Sequence, residues 1–414
     1  MFSYVYTNSA GDLLIDQEFQ ALGRTGRNIV EPLPEDMIPM PEGATFVLIP
    51  DRKSIVMKFD SFIPYPFPEN MPVGALLPQG YTRTLLPSFL GPGAEDPILP
   101  LFGYTMVGYR DGQFYVAAMK TDEDKKWNPK FFDTEDLPQK INKMKNIFPK
   151  NSLVKHLSNC AINYSCFTAQ NIFYRRWEGG IPVSPVCNAN CLGCISLQPS
   201  ESCPSPQQRI TFIPSPDEIA ELGIYHLQEE DSIISFGQGC EGEPSLQAGV
   251  IAEAIKKIRQ VTKKGTINCN TNAGYTKGIK EMVDAGIDSL RVSINSGKEE
   301  SYNAYYMPVN YSLKDVGNSL RYAAENNCYT YLNLLVLPGV NDTEEEIEKL
   351  IEFVKENKVK EVQFRNLNID PDRYLDKLSI KEEALGIQAL KEILEKEIPG
   401  IKTGNYSKPV KGNA

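Results

Sequence analysis

Three cysteines fall within eight residues, Cys187-Asn-Ala-Asn-Cys191-Leu-Gly-Cys194, with the spacing C-x3-C-x2-C. Three is an odd number for a disulfide pattern and one short of a closed zinc site. Three thiolates on one short loop can grip three irons of a cubic four-iron cluster and leave the fourth iron without a protein ligand. An open coordination position is where a substrate or cosubstrate binds a metal. The competing reading is a binding or assembly protein with a structural four-cysteine site, of zinc or iron and sulfur, closed by Cys203. A loop rich in Asn and Gly argues against three packed core thiols.

The other cysteines are 160, 166, 240, 269 and 328, so none lies before 160 or after 328, and cysteine chemistry belongs to the middle of the chain. The 414 residues exceed one ordinary core and suggest one large domain with something attached. The start, MFSYVYTNSAGD, lacks a basic-then-apolar leader, and no apolar run approaches the ~20 residues that span a bilayer. A cytoplasmic protein without a membrane partner is therefore expected. The net charge of -10 disfavours a phosphate-tracking surface and with it nucleic acid. His156 and His226, the two histidines, read as structural or surface residues.

The elements that must position the cysteines begin after an unlike N-terminal part. Fourteen of the 30 prolines lie between Pro32 and Pro100, which predicts short strands and irregular loops rather than helices. Strands are expected at 45–49 and 54–59, with a hairpin of 103–109 and 113–119 turned at Arg110-Asp-Gly112. Residues 1–130 are thus a β-rich accessory domain, and 131–179 a helical connector. From 180 to 400 strands alternate with amphipathic helices: 181–186, 232–236, 266–270, 290–295, 329–337 and 361–367 are strands. Capping boxes are expected at Ser215–Glu218, Thr343–Glu346 and Ser379–Glu382. Six such units give an α/β fold, a partial (β/α)6 TIM-type barrel or an open doubly wound sheet. Either gathers its functional groups at the carboxyl ends of the strands. Residues 401–414 read as a polar tail.

The cysteine loop at the end of the first strand of such a domain resembles the radical SAM superfamily, and the later strand ends agree. Gln238-Gly-Cys-Glu-Gly-Glu-Pro244 follows the second strand, and Gly242, Glu243 and Pro244 are similar to the family's Gly-Gly-Glu-Pro segment that holds the amino group of S-adenosylmethionine. Asn268-Cys-Asn-Thr-Asn272 resembles the family's polar third-strand ending, which brings in Asn270 and Asn272. Alternation on the fourth strand puts Arg291, Ser293 and Asn295 on one face, where the family contacts ribose and carboxylate; the bland reading is an internal hydrogen-bond network. The turn Leu337-Pro-Gly-Val-Asn-Asp342 is similar to the one that frames adenine, although Asp342 or Thr343 can merely cap the next helix. Gln363, Arg365 and Asn366 end the sixth strand as further contacts.

What the resemblance implies is a [4Fe-4S] cluster on Cys187, Cys191 and Cys194. An electron from reduced flavodoxin or ferredoxin would cleave bound S-adenosylmethionine, giving a 5′-deoxyadenosyl radical that abstracts hydrogen from a substrate. A small molecule or peptide is favoured over RNA. Two departures stand out. Gly193 occupies the place of a frequent aromatic, leaving Leu192 or Ile195 as adenine wall. Cys240 lies beside the cosubstrate segment, as a catalytic hydrogen donor, a second metal ligand or a shielded thiol. The N-terminal domain is expected to serve as a closing lid.

Overall fold

The computed structural model describes residues 1–410 apart from 92, 94–95, 123–125, 199–204 and 381. Cys203 and the end of the polar tail, 411–414, lie outside the described residues.

Residues 3–120 form a ten-stranded antiparallel sheet and a separate three-stranded one. The expected hairpin is Thr105–Arg110 against Gln113–Lys120, with Arg110 opposite Gln113. Its two turn residues, Asp111 and Gly112, both have positive φ (51° and 82°), the twist that two-residue hairpins require. Three helices follow: α1 (Leu137–Ile147), α2 (Ser152–Asn163) and α3 (Phe167–Tyr174).

The rest is a parallel sheet of β1 (Glu178–Gly180), β2 (Ile233–Phe236), β3 (Thr266–Thr271), β4 (Ser289–Ile294), β5 (Tyr329–Val336), β6 (Glu361–Asn366) and β7 (Lys402–Gly404). Spatial order follows chain order from end to end, with no reversal of the doubly wound kind. Arg291 on β4 also reaches Glu178 on β1, which a flat sheet would forbid, so the sheet is curled into a partial barrel. The helices outside it are α4 (Pro216–His226), α5 (Ala248–Val261), α6 (Thr276–Asp284), α7 (Glu299–Tyr306), α8 (Leu313–Glu325), α9 (Glu344–Glu356), α10 (Pro371–Leu375) and α11 (Ile387–Glu397). In α5 the buried Ile251, Ala254, Ile255 and Ile258 recur at helical spacing and face the strands.

Four expectations need correction. The first strand is Glu178–Gly180 and not 181–186, because Pro182 supplies no amide to continue the ladder. The polar tail begins with β7, which pairs with β6, and Asn405 and Tyr406 beyond it are buried. The Ser215–Glu218 box forms, but Thr343 makes no side-chain cap and Glu346 instead accepts from Ser296 and Ser301. Ser379 starts no helix; Glu382 reaches the Glu345 amide, and α11 begins after Gly386.

The N-terminal sheet is locked onto the carboxyl ends of β5 and β6. Arg24 pairs with Asp372 at 3.1 Å and Arg52 with Asp370 at 3.0 Å, with all four side chains at most 4% exposed. Arg83, fully buried, donates to the carbonyls of Tyr104, Val336 and Leu367. Buried pairs of this kind hold a fixed wall; a hinged lid would have to strip charges of their partners.

Candidate functional site

After β1 the chain makes one more ladder bond, from the Ile181 amide to the Ser235 carbonyl, and then leaves the sheet. The run into Cys187 is carried by the loop after β2. The Gly242 amide donates to the Ser184 carbonyl (2.7 Å) and the Glu243 amide to that of Val186 (2.8 Å). A Cβ on Gly242 would lie 2.0 Å from the Val186 oxygen, so only glycine permits this approach. On the other side the loop rests on the end of α7: the Asn190 and Leu192 amides donate to the Tyr306 and Tyr305 carbonyls, each at 3.0 Å. The Gln198 amide nitrogen closes the third-cysteine turn on the Cys194 carbonyl at 2.7 Å.

Burial pushes the Cys187 thiol up to about 11, with the Glu243 carboxylate adding to it, and burial followed by Cys187 and Cys194 pushes the Cys191 thiol well above its ordinary range. The three thiols belong to one short loop. Among the described residues they form no trio close enough to share a single ion, as the ligands of one zinc would. Beneath them Tyr302, Tyr305 and Tyr306 pack as a buried aromatic bed. The Arg209 guanidinium lies 3.5 Å from the Cys194 sulfur and donates to Ser196 Oγ at 3.0 Å. Too widely spaced for one ion, cushioned by aromatics and met by one cation, the three thiols fit a bulky iron–sulfur cluster better than a lone ion.

Gly193 has a local cause. A Cβ there would meet the Tyr305 hydroxyl at 2.8 Å, so Tyr305 from α7 fills the space that a side chain at 193 would take. Leu192 is buried in the core and Ile195 packs partly exposed against it.

Glu243 is buried, and both its oxygens are engaged: Oε1 accepts from the Ser245 amide and the Thr271 hydroxyl, Oε2 from the Asn272 amide at 2.8 Å. It clamps the loop after β2 to the end of β3 and caps the turn that Pro244 opens. Glu241 has the parallel role. Its carboxylate accepts from the amides of Val183, Ser184, Gly237 and Gln238, while burial lifts it to about 7. Nothing in the local sequence distinguishes Glu241 from Glu243.

The inward polar set separates into two groups. Asn270 and Arg291 belong to an internal network: Arg291 donates to Asn270 (2.6 Å), Glu178 (2.9 Å) and Ser407 (2.6 Å). Asn295 is buried, with its amide on the Ser301 carbonyl and the Tyr374 hydroxyl. Asn272 reaches the cysteine loop, donating to Asn188 Oδ1 at 2.7 Å. Ser293 stands in register with Asn333 on β5, whose Oδ1 is a buried acceptor without a partner among the described residues. Arg365 donates to the Asn405 carbonyl and forms no ion pair among the described residues; burial lowers it to about 10. An orphan acceptor and a cation without an ion pair among the described residues fit a zwitterionic guest such as S-adenosylmethionine. The 337–342 turn is self-braced, Asp342 taking the Gly339 amide, and the Gly26 amide docks on the Pro338 carbonyl.

Cys240 is buried, and its thiol meets Cys160 and His156 of α2. The Cys160 thiol is held below its ordinary range, first by the neighbouring Cys240 thiol and then by His156, while Cys240 is pushed up. Sequence reasoning missed Glu178, Arg209, Glu241 and Tyr305, whose contacts reach other segments of the chain, and Asn333, whose orphan acceptor only the fold reveals.

Residues 181–354 match the family model described as "Radical SAM superfamily". An uncharacterized protein of Methanocaldococcus jannaschii, MJ0804, is 24% identical over 203 residues, which cover 49% of this chain and 60% of that protein. Among solved structures, native anSMEcpe with bound AdoMet aligns at 15% identity and TM-score 0.35, over 46% of this chain and 51% of that one. A radical SAM methyltransferase from Sphaerobacter thermophilus aligns at 14% identity and TM-score 0.40, over 55% and 65%. The chain thus spans less than two thirds of each of these relatives. Among the described residues no helix is long and apolar enough to cross a membrane.

Proposed function

We propose that this chain, whose residues 181–354 match the radical SAM family model, is a radical S-adenosylmethionine enzyme acting on a small molecule or peptide. The observation that carries the reading is the meeting of the cysteine loop with the Gly242–Glu243 segment through two backbone hydrogen bonds at the carboxyl ends of the strands. Cys187, Cys191 and Cys194 hold a [4Fe-4S] cluster. When bound, the cluster supplies the electron that cleaves S-adenosylmethionine to methionine and a 5′-deoxyadenosyl radical. The chain's own residues position and shield. The loop of Gly242, Glu243 and Pro244 presents carbonyls to an ammonium, with Glu243 fixing its shape. Asn272, Ser293 and Arg365 contact the guest, Arg365 taking a carboxylate, while Asn270, Arg291 and Asn295 act by positioning these groups. The N-terminal wall and the tyrosine bed exclude water from the site. Reduced flavodoxin or ferredoxin in the cytoplasm is the proposed electron source.

The test is an anaerobic assay for 5′-deoxyadenosine with reductant and S-adenosylmethionine. Wild type should carry about four irons per chain and form the product, and the Cys187/Cys191/Cys194→Ala variant should do neither. Product formation by the triple variant, or zinc in place of iron on the wild-type loop, would overturn the reading.

A further inference from the structure

We propose that His156, Cys160 and Cys240 form a zinc site, separate from the three-cysteine loop, that ties α2 to the loop after β2. His156 and Cys160 stand four residues apart on α2, hence on one face and one turn from each other. His156 Nε2 and Cys160 Sγ are 3.5 Å apart. Cys240 arrives from a loop 80 residues further along the sequence, and the three ligand atoms all lie within 4.8 Å of one another. Zn–S bonds of about 2.3 Å and Zn–N bonds of about 2.0–2.1 Å at tetrahedral angles put ligand atoms roughly 3.5–3.8 Å apart. The His156–Cys160 pair already has that spacing, and Cys240 needs to close by no more than about an ångström.

Two soft thiolates and an imidazole are a zinc donor set rather than one for calcium or magnesium, which take oxygen ligands. Cys166 lies outside that three-ligand group and would have to move to supply a fourth donor. Cys166 caps α3, its amide donates to the Cys160 carbonyl at 3.1 Å, and its sulfur sits 3.4 Å from Thr168 Oγ1. Cys160, Cys166 and Cys240 are free thiols, so no disulfide claims them. The Phe212 ring packs edge-on against His156, which limits the ways the imidazole can turn.

Zinc here has a mechanical consequence. Cys240 immediately precedes Glu241, the carboxylate that gathers the Val183, Ser184, Gly237 and Gln238 amides. The ion would pin that loop to the helical connector, and binding would release the remaining thiol protons to solvent. The inference rests on none of the chemistry proposed for Cys187, Cys191 and Cys194.

The experiment uses full-length protein purified anaerobically, supplied with Zn²⁺ and analysed for zinc and iron, with zinc-edge X-ray absorption on the wild type. Expected are about one zinc per chain, retained in the Cys187/Cys191/Cys194→Ala variant. Cys160→Ser and His156→Ala should weaken zinc binding by more than about tenfold, a loss at least as large as outer-shell changes produce, and leave iron content unchanged. Wild type that takes up no zinc overturns the proposal. So does zinc that survives Cys160→Ser but leaves with the triple variant. If Cys160→Ser does not fold, the wild-type absorption spectrum decides: a shell with both sulfur and nitrogen supports the site, and a sulfur-only shell refutes it. Because the two metals are counted separately, loss of iron tests the cluster reading and loss of zinc tests this one.

Discussion

Replacing Gly242 by Ala separates two kinds of glycine that look alike in sequence. A Cβ at 242 would sit 2.0 Å from the Val186 oxygen and 2.5 Å from its carbon, both main-chain atoms that cannot rotate aside. Reaching ordinary contact requires the 184–187 segment to retreat by about 1.4 Å. That retreat breaks the bonds to the Ser184 and Val186 carbonyls, worth about 1 kcal/mol each, and adds overpacking of ~1–3 kcal/mol. The total is about 3–5 kcal/mol, and the residue displaced is Cys187. Gly249→Ala is the control: it lies in α5, where a Cβ meets only the Glu281 carboxylate at 3.5 Å, and alanine there should stabilise by about 0.5–1 kcal/mol. Urea unfolding, iron content and anaerobic 5′-deoxyadenosine formation are read on all three proteins. Gly242→Ala should unfold earlier and lose iron and cleavage together. A Gly242→Ala protein with wild-type stability and cleavage would refute the claim that this contact holds the cysteine loop in place.

Further outcomes follow from buried charges. Arg52→Ala leaves Asp370 buried without its cation and should cost ~3–5 kcal/mol; the Arg52→Ala/Asp370→Ala double variant should cost less than the summed single changes, and simple additivity in urea melts would deny the pair its role. His226, fully buried with Nε2 bonded to the Trp177 carbonyl, has its pKa lowered by burial from 6.5 to about 4. Below pH 6.5 the unfolded chain binds a proton that the folded chain refuses, so stability should fall between pH 6.5 and 4 by about 3 kcal/mol. His226→Gln should flatten that part of the stability–pH curve, and an unchanged slope would place the titrating group elsewhere.

Strands β2 to β6 were legible because β2 and β5 are largely apolar runs and β3, β4 and β6 alternate polar with apolar residues, and the cysteine spacing identified the loop. Strand β1 was not legible: Glu178-Gly-Gly180 has no apolar signal. Its glycines answer to neighbours, since a Cβ on Gly179 would strike Ile172 at 2.4 Å and one on Gly180 would strike Gln238 at 2.7 Å. Strand β7 is three residues on an open edge, too short and polar to show alternation. Alternation put the polar residues of β4 on one face, but Arg291 spends its donors on Glu178, Asn270 and Ser407, partners that the local sequence cannot reveal. Tyr305, the physical reason for Gly193, is 112 residues away along the chain.

The arginine clamps also bear on how the chain is made. Synthesis proceeds from the N-terminus, so Arg24, Arg52 and Arg83 leave the ribosome long before Val336, Leu367, Asp370 and Asp372 exist to receive them. Until then Arg24 and Arg52 lack their carboxylates and Arg83 two of its three carbonyls, so the N-terminal sheet has no barrel to close against. Its final packing must wait for residue 372, so a region synthesised earlier than the barrel is among the last to settle. A nascent chain stalled at 360 should therefore expose its N-terminal region to protease, and one released at full length should not.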